Sequence, residues 1–196
     1  MGQLKKRLAS SAVFISVSVY AIFAGPMWLF GSIVMLLVLL SLNEYLLIAE
    51  KKSDAVPRRF VLLLGAGIPL SFYFFSAKIL ALVLSNLALF IYNFRPRLKQ
   101  GALLSTALSM FGLIYIAWFF SHLIEMRDLV HGARWVFYTV LIVKGGDAGA
   151  YFVGKKFGRA KLIEHISPNK SVEGAIGGFV TTVLLSLISA LYLPGV

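Results

Sequence analysis

Apolar runs of near membrane-spanning length alternate with short polar breaks along the whole chain. A spanning helix needs about 20 mostly apolar residues. Seven segments approach or meet that need, at roughly 8–25, 27–48, 60–76, 78–94, 102–121, 134–153 and 174–193. The breaks carry helix-stopping residues: Gly25-Pro26, then Ser53-Asp54-Ala55-Val56-Pro57, then Arg95-Pro96-Arg97. The third and fourth segments meet closely at Ser76-Ala77-Lys78. The pattern predicts an all-α fold, a polytopic transmembrane helical bundle of about seven spans. Residues 1–101 form an N-terminal region of about four spans, and 102–196 a second region with a polar loop at 154–173. No internal repeat is visible.

Composition agrees with lipid as the solvent. Of 196 residues, 59% are hydrophobic and only 14% charged, with a mean hydropathy of +0.86. A soluble domain of this length cannot hide so much apolar surface in one core. Lys and Arg number 19 against 8 Asp and Glu, an excess that would suggest nucleic acid in a soluble protein. Here the basic residues fall between the apolar runs, as membrane topology demands. With the N-terminus cytoplasmic, the inside segments hold fifteen of them: Lys5, Lys6 and Arg7; Lys51, Lys52, Arg58 and Arg59; Arg95, Arg97 and Lys99; Lys155, Lys156, Arg159, Lys161 and Lys170. The outside segments hold only Lys78, Arg127 and Arg134, and Lys144 lies within a span. That asymmetry puts the 154–173 loop in the cytoplasm. Lys5-Lys6-Arg7 and the apolar run behind it lack a small-x-small cleavage site, so they read as a retained span rather than a signal peptide. With no cysteine, disulfides and thiolate metal sites are excluded.

Candidate chemistry is concentrated in the last third. Asp147 lies inside a span, about 10 Å from its cytoplasmic end at 1.5 Å per residue. Intramembrane ionisable residues usually face a polar cavity or a partner. Lys144, three residues earlier, can pair with it, so the two either serve a site or merely neutralise each other. Gly146, Ala150, Gly154 and Gly158 recur every fourth residue. Such a stripe lets helices pack closely or lets a phosphorylated ligand approach bare backbone.

Beyond it, Ser167-Pro168-Asn169-Lys170-Ser171 precedes a new helix, with Glu173 in its first turn. Two hydroxyls, an ammonium and free amide donors at a helix N-terminus suit a polyphosphate. Glu173 there can hold a metal ion or orient Lys170. The plainer reading is a loop at headgroup level, Ser171 capping the helix and Lys170 meeting lipid phosphates. It is not a Walker loop, since Glu164 and Asn169 stand where that motif needs glycine. His165 reads as a solvated loop residue. His122 and His131, with Glu125 and Asp128, read as interfacial polarity before a metal site. Trp28, Trp118 and Trp135 read as interface anchors.

These residues resemble one family, the phosphatidate cytidylyltransferases. Its members carry Asp-[Ser/Thr]-Gly-Ala-Tyr, then Gly-Lys-x-x-Gly-[Lys/Arg], then Ser-Pro-x-Lys-[Ser/Thr]-x-x-Gly-x-x-Gly-Gly. This chain has Asp147-Ala148-Gly149-Ala150-Tyr151, Gly154-Lys155-Lys156-Phe157-Gly158-Arg159, and Ser167-Pro168-Asn169-Lys170-Ser171-Val172-Glu173-Gly174-Ala175-Ile176-Gly177-Gly178. Phe111-Gly112-Leu113-Ile114-Tyr115, Leu129-Val130-His131-Gly132 and, more loosely, Asn43-Glu44-Tyr45 also look like the family. Ala148 departs from the pattern, and the family's C-terminal signature of Asp-bearing and His-Gly-Gly elements is not found before Val196. The chain therefore looks like the N-terminal two-thirds of such an enzyme.

The resemblance implies a nucleotidyltransferase that joins CTP and phosphatidate to give CDP-diacylglycerol and pyrophosphate, with Mg2+ as cofactor. It implies catalytic roles for Asp147, Lys170 and Glu173, with Asp147 also the metal-linked carboxylate. Substrate contacts would come from Tyr151, Lys155, Arg159, Ser167, Asn169 and Ser171. The expected setting is a bacterial inner membrane, with CTP, inner-leaflet phosphatidate and membrane lipids as partners, no nucleic acid, and a homodimer left open. Another CTP-dependent lipid enzyme, or a non-catalytic membrane homologue, is the alternative.

Overall fold

Packing periodicity explains the first half of the protein. The structure, a computed structural model, describes residues 13–192 apart from 14, 54–55, 74–76, 95–100 and 165–166. The described residues form two compact units, divided between Leu129 and Val130.

In the first unit a helical stretch over 15–23 ends at Gly25-Pro26, and α1 (Met27–Glu50) follows. Its buried residues Val34, Val38, Leu42 and Leu46 fall every fourth position, one stripe of a 3.6-residue helix. Leu36, Leu37, Leu40 and Ile48 point away and stay exposed, as a lipid-facing side would. After Pro57 come α2 (Arg58–Ser71), α3 (Lys78–Asn93) and then α4 (Ala102–Gly112), which passes through a π-helical segment, Leu113–Trp118, into α5 (Phe119–Asp128). Tyr45 of α1 donates from its hydroxyl to the Leu108 carbonyl at 2.9 Å, and Gly112 leaves room for its ring, which would lie 2.9 Å from a Cβ there. Two stretches that resemble the family, far apart in sequence, thus meet. Lys78 pairs with Glu125, while Phe72 is buried against the rings of Trp118 and His122. Trp118 is therefore a packing residue of this unit; Trp28, 66% exposed, fits the anchor reading.

The second unit is an antiparallel pair of long helices joined by a two-stranded hairpin: α6 (Gly132–Phe157), β1 (Lys161–Ile163), β2 (Ser167–Ser171) and α7 (Val172–Tyr192). Tyr138 and Ser186 share a hydrogen bond of 2.7 Å near one end of the pair.

Among the described residues, four helices are long and apolar enough to cross a membrane: Met27–Glu50, Ala102–Asp128, Gly132–Phe157 and Val172–Tyr192. The expected spans at 60–76 and 78–94 are shorter than the sequence suggested. Pro57 fixes the start of α2, which ends at Ser71, leaving 14 residues; α3 has 16. At 1.5 Å per residue they are about 21 and 24 Å long, against a hydrocarbon core of about 30 Å. The expected first span begins among residues outside those described. What stands is a helical membrane protein with four helices of spanning length.

Candidate functional site

The motif residues of the second unit are assembled around a seam of small side chains. Gly146, Ala150 and Gly154 of α6 face Gly174, Gly178 and Thr182 of α7. A Cβ added at Gly178 would lie 2.9 Å from Ala150 Cβ and 3.1 Å from the Gly146 carbonyl oxygen. One added at Gly174 would lie 2.9 Å from the Ala150 carbonyl oxygen. Backbones this close tolerate little more than hydrogen, the small-residue packing that membrane helices use. The stripe thus provides the close helix packing that the sequence allowed.

At the end of the seam the close approach serves the hairpin. Gly154 and Gly158, the two glycines of Gly-Lys-x-x-Gly, face the Ser171 hydroxyl, which would lie 3.2 and 2.7 Å from a Cβ at each. Ser171 Oγ accepts the Gly174 amide at 3.1 Å, capping the first turn of α7 as expected of a serine there. The Val172 amide donates to the Ala160 carbonyl at 3.0 Å, and Lys161 pairs with Ser171 across the strands.

Glu173 closes the assembly. One of its carboxylate oxygens accepts the Arg159 amide at 3.0 Å, and the Ala160 amide reaches both oxygens at 3.2 and 3.3 Å. The carboxylate thus braces the turn that carries Arg159, a main-chain role that neither metal binding nor orientation of Lys170 anticipated. The Lys161 ammonium donates to the Pro168 carbonyl across the hairpin, so this lysine is structural as well as basic.

The predicted substrate contacts divide into groups. Lys156, Phe157, Gly158, Arg159 and Glu173 line a groove of about 490 Å³, a size typical of ligand sites. Lys155 sits over the Tyr151 ring, its ammonium 5.8 Å from the centroid. Asn169 and Lys170 stand exposed on β2, and Lys170 has no ion pair among the described residues; Ser167 is half-buried at the start of the strand. His165 lies outside the described residues.

Asp147 is further along α6, about 12 Å from Lys155 by helix rise. It pairs loosely with Lys144 at 3.9 Å, both side chains open, at 73% and 77% exposed. It also lines a second groove of about 400 Å³ with Gly146, Gly178, Phe179 and Thr182. Among the described residues no three His, Asp or Glu side chains converge on one point, so His122 and Glu125 belong to no such cluster. With Glu173 committed to backbone amides, Asp147 is the family-motif carboxylate without a main-chain contact. One carboxylate could hold magnesium only together with substrate phosphates and water, which is how that ion is usually bound.

A family model described as the cytidylyltransferase family matches residues 5–196. The chain belongs to that family. Among similar proteins, the phosphatidate cytidylyltransferase of Bacillus subtilis (strain 168) is 46% identical over 76 residues, 38% of this chain and 28% of that protein. The phosphatidate cytidylyltransferase of Haemophilus influenzae is 44% identical over 62 residues, 32% of this chain and 22% of its own. The Chlamydia muridarum protein of the same name is 33% identical over 105 residues, 49% of this chain and 34% of its own. The chain thus spans about a fifth to a third of the length of these curated relatives. In this chain the glycines of the motifs have a packing task. They let Ser171 and the start of α7 seat against α6.

Proposed function

We propose that the protein transfers the cytidylyl group of CTP to phosphatidate, giving CDP-diacylglycerol and pyrophosphate. One observation carries most weight. The Ser-Pro-x-Lys-Ser strand is held beside the Gly-Lys-x-x-Gly end of α6 by Ser171, Glu173 and the glycine seam. The three motifs therefore form one structural unit, and family membership and the names of the relatives support the reaction.

In this reading a phosphatidate phosphate oxygen attacks the α-phosphorus of CTP. The new P–O bond forms as the bond between the α-phosphorus and its bridging oxygen breaks, and that oxygen leaves with pyrophosphate. Catalysis of such a transfer is mostly positioning and charge neutralisation. Lys170, Lys155 and Arg159 supply positive charge to the phosphates. Ser167 and Asn169 supply hydrogen bonds, and Ser171 can donate its hydroxyl proton while its oxygen caps α7. Tyr151 holds the Lys155 ammonium in place through its ring. Glu173 acts through the backbone it braces. Magnesium entering with the triphosphate would be held by Asp147 and would neutralise phosphate charge. The distribution of basic segments supports a hairpin on the cytoplasmic side of a bacterial inner membrane, with CTP arriving from water and phosphatidate from the adjoining leaflet.

The test is conversion of labelled CTP and phosphatidate by membranes carrying the variants. Lys170→Ala should lower the rate about a hundredfold or more, on the order of 3 kcal/mol of transition-state stabilisation. Lys51→Ala, an exposed lysine outside the motifs, should cost less than about twofold, as a surface change does. Equal small losses would return the hairpin to the headgroup-level reading. Lys161 cannot serve as the control, because its removal also frees the Pro168 carbonyl.

A further inference from the structure

We propose that the cleft between the end of α1 and the start of α2 binds the phosphodiester headgroup of an anionic membrane lipid. The cleft has a volume of about 510 Å³ and is lined by Glu50, Pro57, Arg58, Arg59, Phe60 and Tyr92. All six belong to the first unit and none to the motifs above. Its depth suits a headgroup. Glu50 is the last residue of a helix of spanning length, and apolar side chains left exposed nearby, Leu47, Ile48, Leu63 and Ile91, continue along the same helices as an acyl-chain surface.

The charges select the ligand. Arg58 gives one guanidinium N–H to Glu50 at 3.2 Å, with both side chains about a third exposed. A guanidinium has five donors, so the ion pair fixes the orientation of Arg58 and leaves donors for an anion. Arg59 is exposed and has no ion pair among the described residues. One carboxylate and two guanidiniums give the lining a net charge of +1. That matches a phosphodiester monoanion. A phosphomonoester dianion would be left half neutralised and would face the Glu50 carboxylate. Lys51 and Lys52, exposed beside the cleft, add long-range attraction to an anionic leaflet.

One wall is apolar and flat. Phe60 and Tyr92 stack with ring centroids 4.7 Å apart and planes 20° from parallel, bringing α2 and α3 together. Such a surface suits the glycerol and first methylenes of a lipid and gives nothing to a free phosphate ion. A partly solvated pair of arginines holds a small anion only weakly. Acyl burial is what makes the lipid the better occupant.

The experiment is native mass spectrometry of the purified full-length chain in detergent, titrated separately with phosphatidylglycerol, phosphatidylcholine and phosphatidate. Wild type should retain one phosphatidylglycerol at concentrations where phosphatidylcholine is lost. Arg59→Gln should weaken that retention about fivefold, the loss of one cation near a charged surface. Glu50→Gln raises the cleft charge and should shift preference toward phosphatidate, a gain that unfolding cannot mimic. Equal retention of phosphatidylglycerol and phosphatidylcholine, an unchanged Arg59→Gln, or an unchanged preference in Glu50→Gln each overturns the proposal. So does displacement of the lipid by millimolar inorganic phosphate, which would make this a soluble-anion site.

Discussion

Substituting alanine for glycine at position 178 is the smallest change that tests the seam between α6 and α7. In an ordinary exposed helix it stabilises by roughly 0.5–1 kcal/mol, since glycine is the poorer helix former. At Gly178 the new methyl would sit 2.9 Å from Ala150 Cβ and 3.1 Å from the Gly146 carbonyl oxygen. Both are backbone or Cβ atoms that cannot rotate away, so the helices must separate. Overpacking of this kind costs about 1–3 kcal/mol. For a chain of this size each kcal/mol moves the midpoint by about 2–4 °C. Gly178→Ala should therefore lower the thermal midpoint of the detergent-solubilised protein by roughly 2–12 °C. Gly67, also helical, has nothing within 4 Å of an added Cβ, so Gly67→Ala should leave the midpoint level or raise it. Ala150→Gly removes the nearer of the two clashing groups. The pair Gly178→Ala with Ala150→Gly should then lie closer to wild type than the two single losses summed, the signature of direct contact. If Gly178→Ala behaves like Gly67→Ala, the seam is not closely packed and its role in seating the hairpin fails with it.

Two further expectations concern the second unit and a third the topology. Glu173→Ala should reduce CDP-diacylglycerol formation about tenfold or more, chiefly through a higher KM for CTP, while Glu173→Gln, which keeps one acceptor oxygen for the Arg159 and Ala160 amides, should recover part of it. A metal ligand would instead lose activity equally in both. Asp147→Asn should abolish most activity, and adding Lys144→Met should not restore it; restoration would mean that the carboxylate only neutralises its neighbour across 3.9 Å. Because the chain has no cysteine, single cysteines can report sidedness. In intact cells a membrane-impermeant thiol reagent should label one at Asp128 and spare one at Lys156, and the reverse would invert the charge-derived topology.

What the sequence disclosed, and what it hid, depends on the range of each interaction. Helix identity comes from local apolar content, so the spans at 27–48, 102–121, 134–153 and 174–193 all correspond to helices of spanning length. The i, i+4 glycine stripe is equally local, and it predicted a packing face without naming the partner. Ser171 was legible as a cap because the partner amide is three residues away. Missed features depend on partners far along the chain. Glu173 meets amides 13 and 14 residues earlier, and Lys161 meets Pro168 through a hairpin that no apolar alternation announces. A proline and an asparagine inside β2 argue against a strand on propensity alone. The strand forms because Val172 and Ser171 are already fixed by α7 and Ala160 by Glu173, so pairing closes a loop whose ends are in place. The same logic explains the shortfall in spans. Hydropathy extended the third segment to 76, whereas α2 ends at Ser71 and Tyr73 turns back to donate to the Met27 carbonyl at 3.1 Å. A Cβ at Gly31 would collide with that tyrosine's hydroxyl, 1.7 Å away. The glycine at 31 thus permits the helix end at 71, a dependence over forty residues that no local window can contain.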